Sequence, residues 1–241
     1  MTDPNHDIVV FGASGVTGQH VLRQARHRDL RVLAVHHTIP EGARDDDRIT
    51  HASADVLSDD LADLCALGRS IISCLGVAFS PSAAIDPPPL YSKGTKAIID
   101  GMRRAARNRL AVISAAFVDH QEILPDWFRA SVIPALGAII DDMRAMERTV
   151  EECGLAWTIA RPGWLLDRPK TDDYEVGDGV LHEGCLRTRN ADLAEVMLMA
   201  VADGRWVGGR PSPARHESDF DESPAALARE FGTMAVDALK G

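Results

Sequence analysis

The four cysteines, Cys65, Cys74, Cys153 and Cys185, form no C-x-x-C pair. None of the nine histidines joins them at ligand spacing. A structural zinc site and a redox dithiol are therefore not expected, and no metal is assigned. Scattered thiols suit a reducing compartment. No apolar run is long enough to cross a bilayer. The residues from Met1 to Asp7 are polar and lack the charged and apolar regions of a secretion signal. A cytoplasmic location is the expectation. Excess positive charge is also missing: the formal net charge is -10. Nucleic-acid binding needs clustered Lys and Arg, so it is not expected as the main activity. Neither is a membrane partner. A monomer or small homo-oligomer acting on a small molecule remains.

What is present starts at the apolar run Ile8-Val9-Val10-Phe11, followed by Gly12-Ala13-Ser14-Gly15-Val16-Thr17-Gly18. A buried strand, a glycine turn and a helix start make a site for a pyrophosphate. Gly12 permits the tight turn, Gly15 lets the backbone approach phosphate oxygens, and Gly18 lets the helix lie close to the sheet. Ser14, Val16 and Thr17 complete that turn. The first-turn N–H groups and the helix dipole would face the anion. Gly18, Val21, Leu22 and Ala25 give the apolar helical stripe.

Further along, strand-like runs at 31–36, 50–54, 71–75, 110–114 and 157–160 alternate with helical patterns near 15–28, 58–67, 92–107 and 137–153. This alternation predicts an α/β fold with a doubly wound parallel sheet and helices on both faces. Ile139, Met143, Met146, Val150 and Cys153 make the clearest stripe, and Gly154 fits the helix C-cap. On the same helix, Glu147 and Glu151 form a like-charge i,i+4 pair. Residues 77–90 and 119–134 read as irregular stretches rich in proline, placed to hang over the ligand crevice. Residues 1–207 read as one dinucleotide-binding domain with substrate loops. Residues 208–241 read as a linker followed by a terminal helix over 224–239.

The glycine turn, Ala54-Asp55-Val56, Ser73-Cys74-Leu75-Gly76, Val112-Ile113-Ser114-Ala115-Ala116-Phe117 and Gly154-Leu155-Ala156-Trp157-Thr158-Ile159-Ala160-Arg161-Pro162-Gly163 occur in that order. Together they resemble the atypical short-chain dehydrogenase/reductase superfamily in its NmrA-like, NAD(P)H-binding branch, over most of residues 7–205. The flavin-reductase (biliverdin-IXβ reductase) members are most similar, around Met146 and the Gly154-Leu155 turn. The resemblance implies a Rossmann-type fold. It places Asp55 and Val56 at the adenine, and Leu75 and Gly76 at the adenine-side ribose and pyrophosphate. Ser114 and Ala115 would lie beside the nicotinamide, with Pro162 and Gly163 on its far side. Asp55 can equally cap a turn, and Ser114 can equally bond to backbone.

The end of the second strand-like run decides between NADP and NAD. It reads His36-His37-Thr38, with no carboxylate there. A histidine beside an anion can take a proton, which leans to NADP(H). Glu41 and 45–47 in the following loop pull the other way.

The pattern departs in two respects from the superfamily it resembles. The Tyr-x-x-x-Lys pair that exchanges a proton with alcohols or carbonyls is absent, and Ile139 and Met143 stand on the corresponding helix. An alcohol dehydrogenase mechanism is disfavoured. The flavin-reductase serine after the fifth strand falls on Ala115, one residue beyond Ser114, which makes biliverdin reduction doubtful. Hydride transfer to a flat conjugated ring needs little side-chain chemistry. Phe117, Trp127 and Trp164 could wall a pocket for such a ring, or pack a lid onto the body. Ser114 and His120 are the candidate catalytic side chains, although His120 can equally be an exposed loop histidine. The implied function is an NAD(P)H-dependent reductase of flavin, quinone or a conjugated carbonyl by direct hydride transfer. A dinucleotide-binding redox regulator without turnover, and a non-redox tailoring enzyme, are the alternatives.

Overall fold

The computed structural model describes residues 5–77, 86–227 and 229–230. Its centre is a parallel six-stranded sheet in the order β3-β2-β1-β4-β5-β6. The strands are β1 (His6–Phe11), β2 (Val32–His36), β3 (Ile49–Ser53), β4 (Gly68–Ser73), β5 (Arg109–Ile113) and β6 (Ala156–Ala160). Neighbours pair in register, for example Val10 with Ala34 and with Ile72. Because side chains alternate across a strand, Val9, Phe11, Leu33, Val35 and Ile71 enter one core. Ile8, Val10, Val32, Ala34 and Ile72 enter the other.

Helices cover both faces. The first core takes in Ile98 and Met102 from α3 (Thr95–Arg104), Phe128 from α4 (Asp126–Ala135) and Met143 and Val150 from α5 (Gly137–Glu151). Short α2 (Ala62–Ala66) contributes Cys65. The second core is closed by α1 (Val16–His27), through Val21 and Ala25, and by α6 (Asn190–Ala202), through Leu193, Ala194 and Met197. The predicted stripe of α5 is buried, and Gly154 takes φ +72 just beyond it, the left-handed conformation that ends a helix without a Cβ clash.

Several local expectations need correction. The stretch 119–134 is not irregular: it holds α4, entered through Pro125, with Phe128 and Val132 buried four residues apart. Pro125 sits at the helix entry, where the N–H has no intrahelical acceptor to lose, and Pro134 falls in the last turn, next to the helix end. Helix α6 has no counterpart in the sequence reading, because it is buried nearly all round and shows no one-sided stripe. Two small sheets were also unforeseen. Strand β7 (Trp164–Leu166) pairs with β9 (Arg187–Arg189), and β8 (Glu175–Asp178) pairs with β10 (Pro211–Ala214). Within the expected linker, therefore, residues 211–214 form a buried strand, and Arg161 N–H donates to the Pro211 carbonyl. Residues 224–227 and 229–230 are helical. The rest of the expected terminal helix, and most of the stretch 77–90, lie outside the described residues.

Candidate functional site

The strand order reverses between β1 and β4, and in this fold class the ligand crevice lies at the carboxyl ends of the strands at that switch. The glycine turn lies there, and its three glycines have different reasons. Gly12 takes φ +74, and a Cβ on it would come within 2.5 Å of the Cys74 carbonyl oxygen. A Cβ on Gly18 would collide with the Gly12 carbonyl and Ala13. Both are required by the packing of the turn. Gly15 is not: its Cβ would meet only the Gly12 oxygen, at an ordinary 3.4 Å. It is exposed, with φ -66, and forms the N-cap of α1. No side chain caps that helix, and its first turn carries no acidic residue. The first-turn N–H groups have no intrahelical acceptor, so an anion can take them. Val16, 46% exposed, borders the opening. The residues present fit a dinucleotide pyrophosphate.

The neighbouring side chains are partly committed elsewhere. Thr17 is buried and its hydroxyl accepts from Asn190 Nδ2 at 2.9 Å, which leaves its O–H and its main chain for a ligand. Ser14 Oγ shares a 2.6 Å hydrogen bond with His36 Nδ1, and His36 Nε2 shares one of 2.9 Å with His51 Nδ1. His36 is buried. Burial, and then the neighbouring His51, push its pKa below the ordinary histidine value. That shift works against the proton expected on His36 beside a 2′-phosphate, and the imidazole links Ser14 to His51. His37 is exposed and lies close enough to Asp55 to act on its charge. Asp55 Oδ1 accepts from Leu57 N–H at 2.9 Å, which holds its carboxyl below the usual range. It caps a turn in this structure. Val56 is a core residue, and both it and Leu75 press on Gly94. Gly76 is exposed in the crevice.

One residue at this end was missed. Tyr91 lies in a single π-helical turn (Leu90–Gly94), and its hydroxyl would be 3.6 Å from a Cβ on Gly76. Burial pushes its phenol up to about 12, so it stays protonated. Asp142 of α5 holds the turn, accepting from the Tyr91 N–H at 2.9 Å and also from Ser92. The signal was faint, because Tyr91 follows the proline-rich stretch and matches no tyrosine motif.

Farther along the crevice, the β5 and β6 ends are laced together. Ser114 N–H donates to the Ala160 carbonyl and Ala116 N–H to the Pro162 carbonyl, both at 2.8 Å. This brings Ser114, Ala115 and Pro162 side by side. Among the described residues Ser114 Oγ is buried without a hydrogen-bond partner, an unmet polar group that an acceptor would relieve. Gly163 has no room for a side chain against the Leu186 carbonyl, and its N–H donates to Thr188 Oγ1 at 2.8 Å. The expected aromatic wall is a packed cluster centred on fully buried Phe128. Phe117, Trp127 and Trp164 surround it at centroid distances of 5.9, 5.6 and 6.0 Å. Trp127 and Trp164 are half-buried, while Phe117 is buried.

His120 goes elsewhere. It is exposed, has φ +51 and hydrogen-bonds Glu122 at 3.2 Å. It lines a charged cavity of about 530 Å³ with Asp119, Arg144, Glu147 and Arg161, and Ser114 is not among the lining residues. There, Arg161 donates to both oxygens of buried Glu147, at 3.0 and 2.5 Å, and to Asp119 at 2.8 Å. The like-charge pair Glu147 and Glu151 is thus resolved, since Glu151 pairs with Arg210.

The sheet order, the glycine turn and the crevice agree with a family model described as NAD(P)H-binding, which matches residues 12–204. The chain belongs to this NAD(P)H-binding family. Its solved neighbours share the fold. The oxidoreductase ylbE from Lactococcus lactis superposes with a TM-score of 0.72 at 17% identity, covering 92% of this chain and 97% of that one. A short-chain dehydrogenase/reductase from Veillonella parvula, solved with NADP, has a TM-score of 0.72 at 14% identity, covering 91% and 99%. A candidate NADH-flavin reductase from Streptococcus pneumoniae has a TM-score of 0.69 at 18% identity, covering 88% and 100%. An uncharacterised chloroplastic protein of Arabidopsis thaliana is 25% identical over 206 residues, 80% of this chain and 71% of its own length. As an NAD(P)H-binding family member, the chain has a nicotinamide dinucleotide as its cofactor class. Among the described residues no helix is long and apolar enough to cross a membrane.

Proposed function

We propose that this protein is an NAD(P)H-dependent reductase of a flat conjugated small molecule: a flavin, a quinone or a conjugated carbonyl. The observation that carries the reading is Gly15 at the uncapped α1 terminus, where the protein's own packing leaves room for a side chain and close approach of a phosphate would not. A reduced nicotinamide supplies hydride. The chain's own part is to bind, orient and exclude water. The α1 N–H groups hold the pyrophosphate, while Ser114, Ala115, Pro162 and Gly163 set the ring. Trp127 and Trp164 offer apolar faces to a flat acceptor. Ser114 Oγ is the one buried hydroxyl there still open to an acceptor. The likeness to the S. pneumoniae protein supports the flavin member of this substrate class.

NADP(H) is favoured over NAD(H), because β2 ends without a carboxylate and exposed His37 follows it. The test is loss of NADPH absorbance with a panel of flavins, quinones and enones. Turnover with a member of the panel supports the reading. Cofactor binding without consumption by any of them overturns it. One observation favours a second reading, a dinucleotide-dependent regulator: α5 presents buried Ile139 and Met143 where a proton-transferring pair would stand.

A further inference from the structure

Just beyond the Pro162-Gly163 turn, Trp164 of β7 pairs in register with Arg187 of β9. The Arg187 side chain is 0% exposed. Among the described residues its acidic partner is Glu230, reached at 2.6 Å from Nη2 and 3.3 Å from Nη1. The same carboxylate accepts from the Trp164 indole Nε1 at 3.0 Å. Arg187 Nε is buried and has no hydrogen-bond partner among the described residues.

These facts describe a carboxylate receptor whose parts come from two places. The cation and the indole belong to the body, fixed beside Gly163 through the Thr188 hydroxyl. The carboxylate comes from the C-terminal helical segment, 43 residues on from Arg187, and is itself 27% exposed. A buried guanidinium requires an anion, and its planar fork fits a carboxylate on two donors at once. Glu230 takes the two terminal nitrogens and leaves the third donor open. The second donor is an indole whose ring stands 6.0 Å from Phe128, in the aromatic cluster assigned above to a flat acceptor.

We infer that Arg187 and Trp164 Nε1 form the carboxylate-recognising end of the substrate site, and that Glu230 stands in for the carboxylate of an aromatic or conjugated acid, which displaces it. The inference rests on the proposed reductase reading, because it takes the cluster beside Gly163 as the acceptor site. It narrows the substrate class to flat molecules that carry a carboxylate.

The test compares 1-naphthoate with its neutral isostere 1-naphthamide by calorimetric titration, with and without NADPH, on the full chain. Wild type, Glu230→Gln and Glu230→Gln with Arg187→Met are measured, each checked for folding by circular dichroism. The expected result is that E230Q binds naphthoate at least ten-fold more tightly than wild type. Naphthamide affinity stays the same, and the second substitution removes the gain. If Arg187→Met does not fold, Trp164→Phe in the E230Q background replaces it and is expected to weaken naphthoate alone. Equal naphthoate affinity in wild type and E230Q, or an equal gain for naphthamide, overturns the inference. The cofactor arm reads the other question. If NADPH fails to bind wild type, the dinucleotide reading falls, while the naphthoate comparison without NADPH still decides the carboxylate subsite.

Discussion

Gly12, Gly15 and Gly18 occupy one turn for different physical reasons, and single substitutions separate them. Gly18→Ala drives a methyl into the Gly12 carbonyl and Ala13, and is expected to cost about 1–3 kcal/mol of stability. Gly15→Ala meets only an ordinary contact. It should lower the melting temperature less than Gly18→Ala, by no more than the cost of Ala at an N-cap, about 1 kcal/mol, while weakening dinucleotide binding about ten-fold, or about 1.4 kcal/mol. Thermal melts and a binding titration check both; equal affinity in G15A and wild type would remove the ligand explanation for Gly15. His36 supplies a pH signature. Its pKa is lower in the folded protein than in the unfolded chain, so between the two values the unfolded state binds more protons. Its contribution is complete above about 6.5 and is lost as pH falls through the folded value. Melting temperatures should therefore drop on going from neutral to mildly acidic pH, and drop less in His36→Asn. At this scale the sequence was readable where a residue's role is set by its backbone, as at Gly12 and Gly18. It was not readable where the role depends on a distant partner: Asn190 donates to the Thr17 hydroxyl, and His51 hydrogen-bonds His36.

At the scale of elements, legibility followed amphipathicity. The α5 stripe and its Gly154 cap stood out because one face is buried and the other wet. Helix α6 was invisible because both α1 and the sheet bury it. Strands of three or four residues, such as β7 and β9, are too short to show a period. The α5–β6 junction carries its own prediction. Arg161, Glu147 and Asp119 form an ion cluster with Arg161 and Glu147 buried. Burial opposes the Arg161 charge, but the two carboxylates more than offset this and hold its pKa above the ordinary value. Glu147→Gln removes the buried counter-charge and should cost about 3 kcal/mol in denaturant melts. A double replacement by Leu at 147 and Met at 161 should recover most of it. No recovery would mean that the cluster stabilises the fold by more than mutual neutralisation.

For the whole molecule, strand–helix alternation was enough to predict a doubly wound parallel sheet, because parallel neighbours need long crossovers. Its consequence, a crevice at the β1/β4 switch, follows from topology alone. What alternation could not convey is how the chain beyond β6 returns to that crevice, through β7, β9 and the segment carrying Glu230. Those contacts are made between residues far apart in sequence, and they border the proposed acceptor end of the site. The central claim is that the uncapped α1 terminus and the glycine turn hold a nicotinamide dinucleotide. The most direct test is a fluorescence titration of the folded protein with NADPH and NADH. Saturable binding is expected, tighter for NADPH. If neither nucleotide binds, the glycine turn is structural only and the account is contradicted.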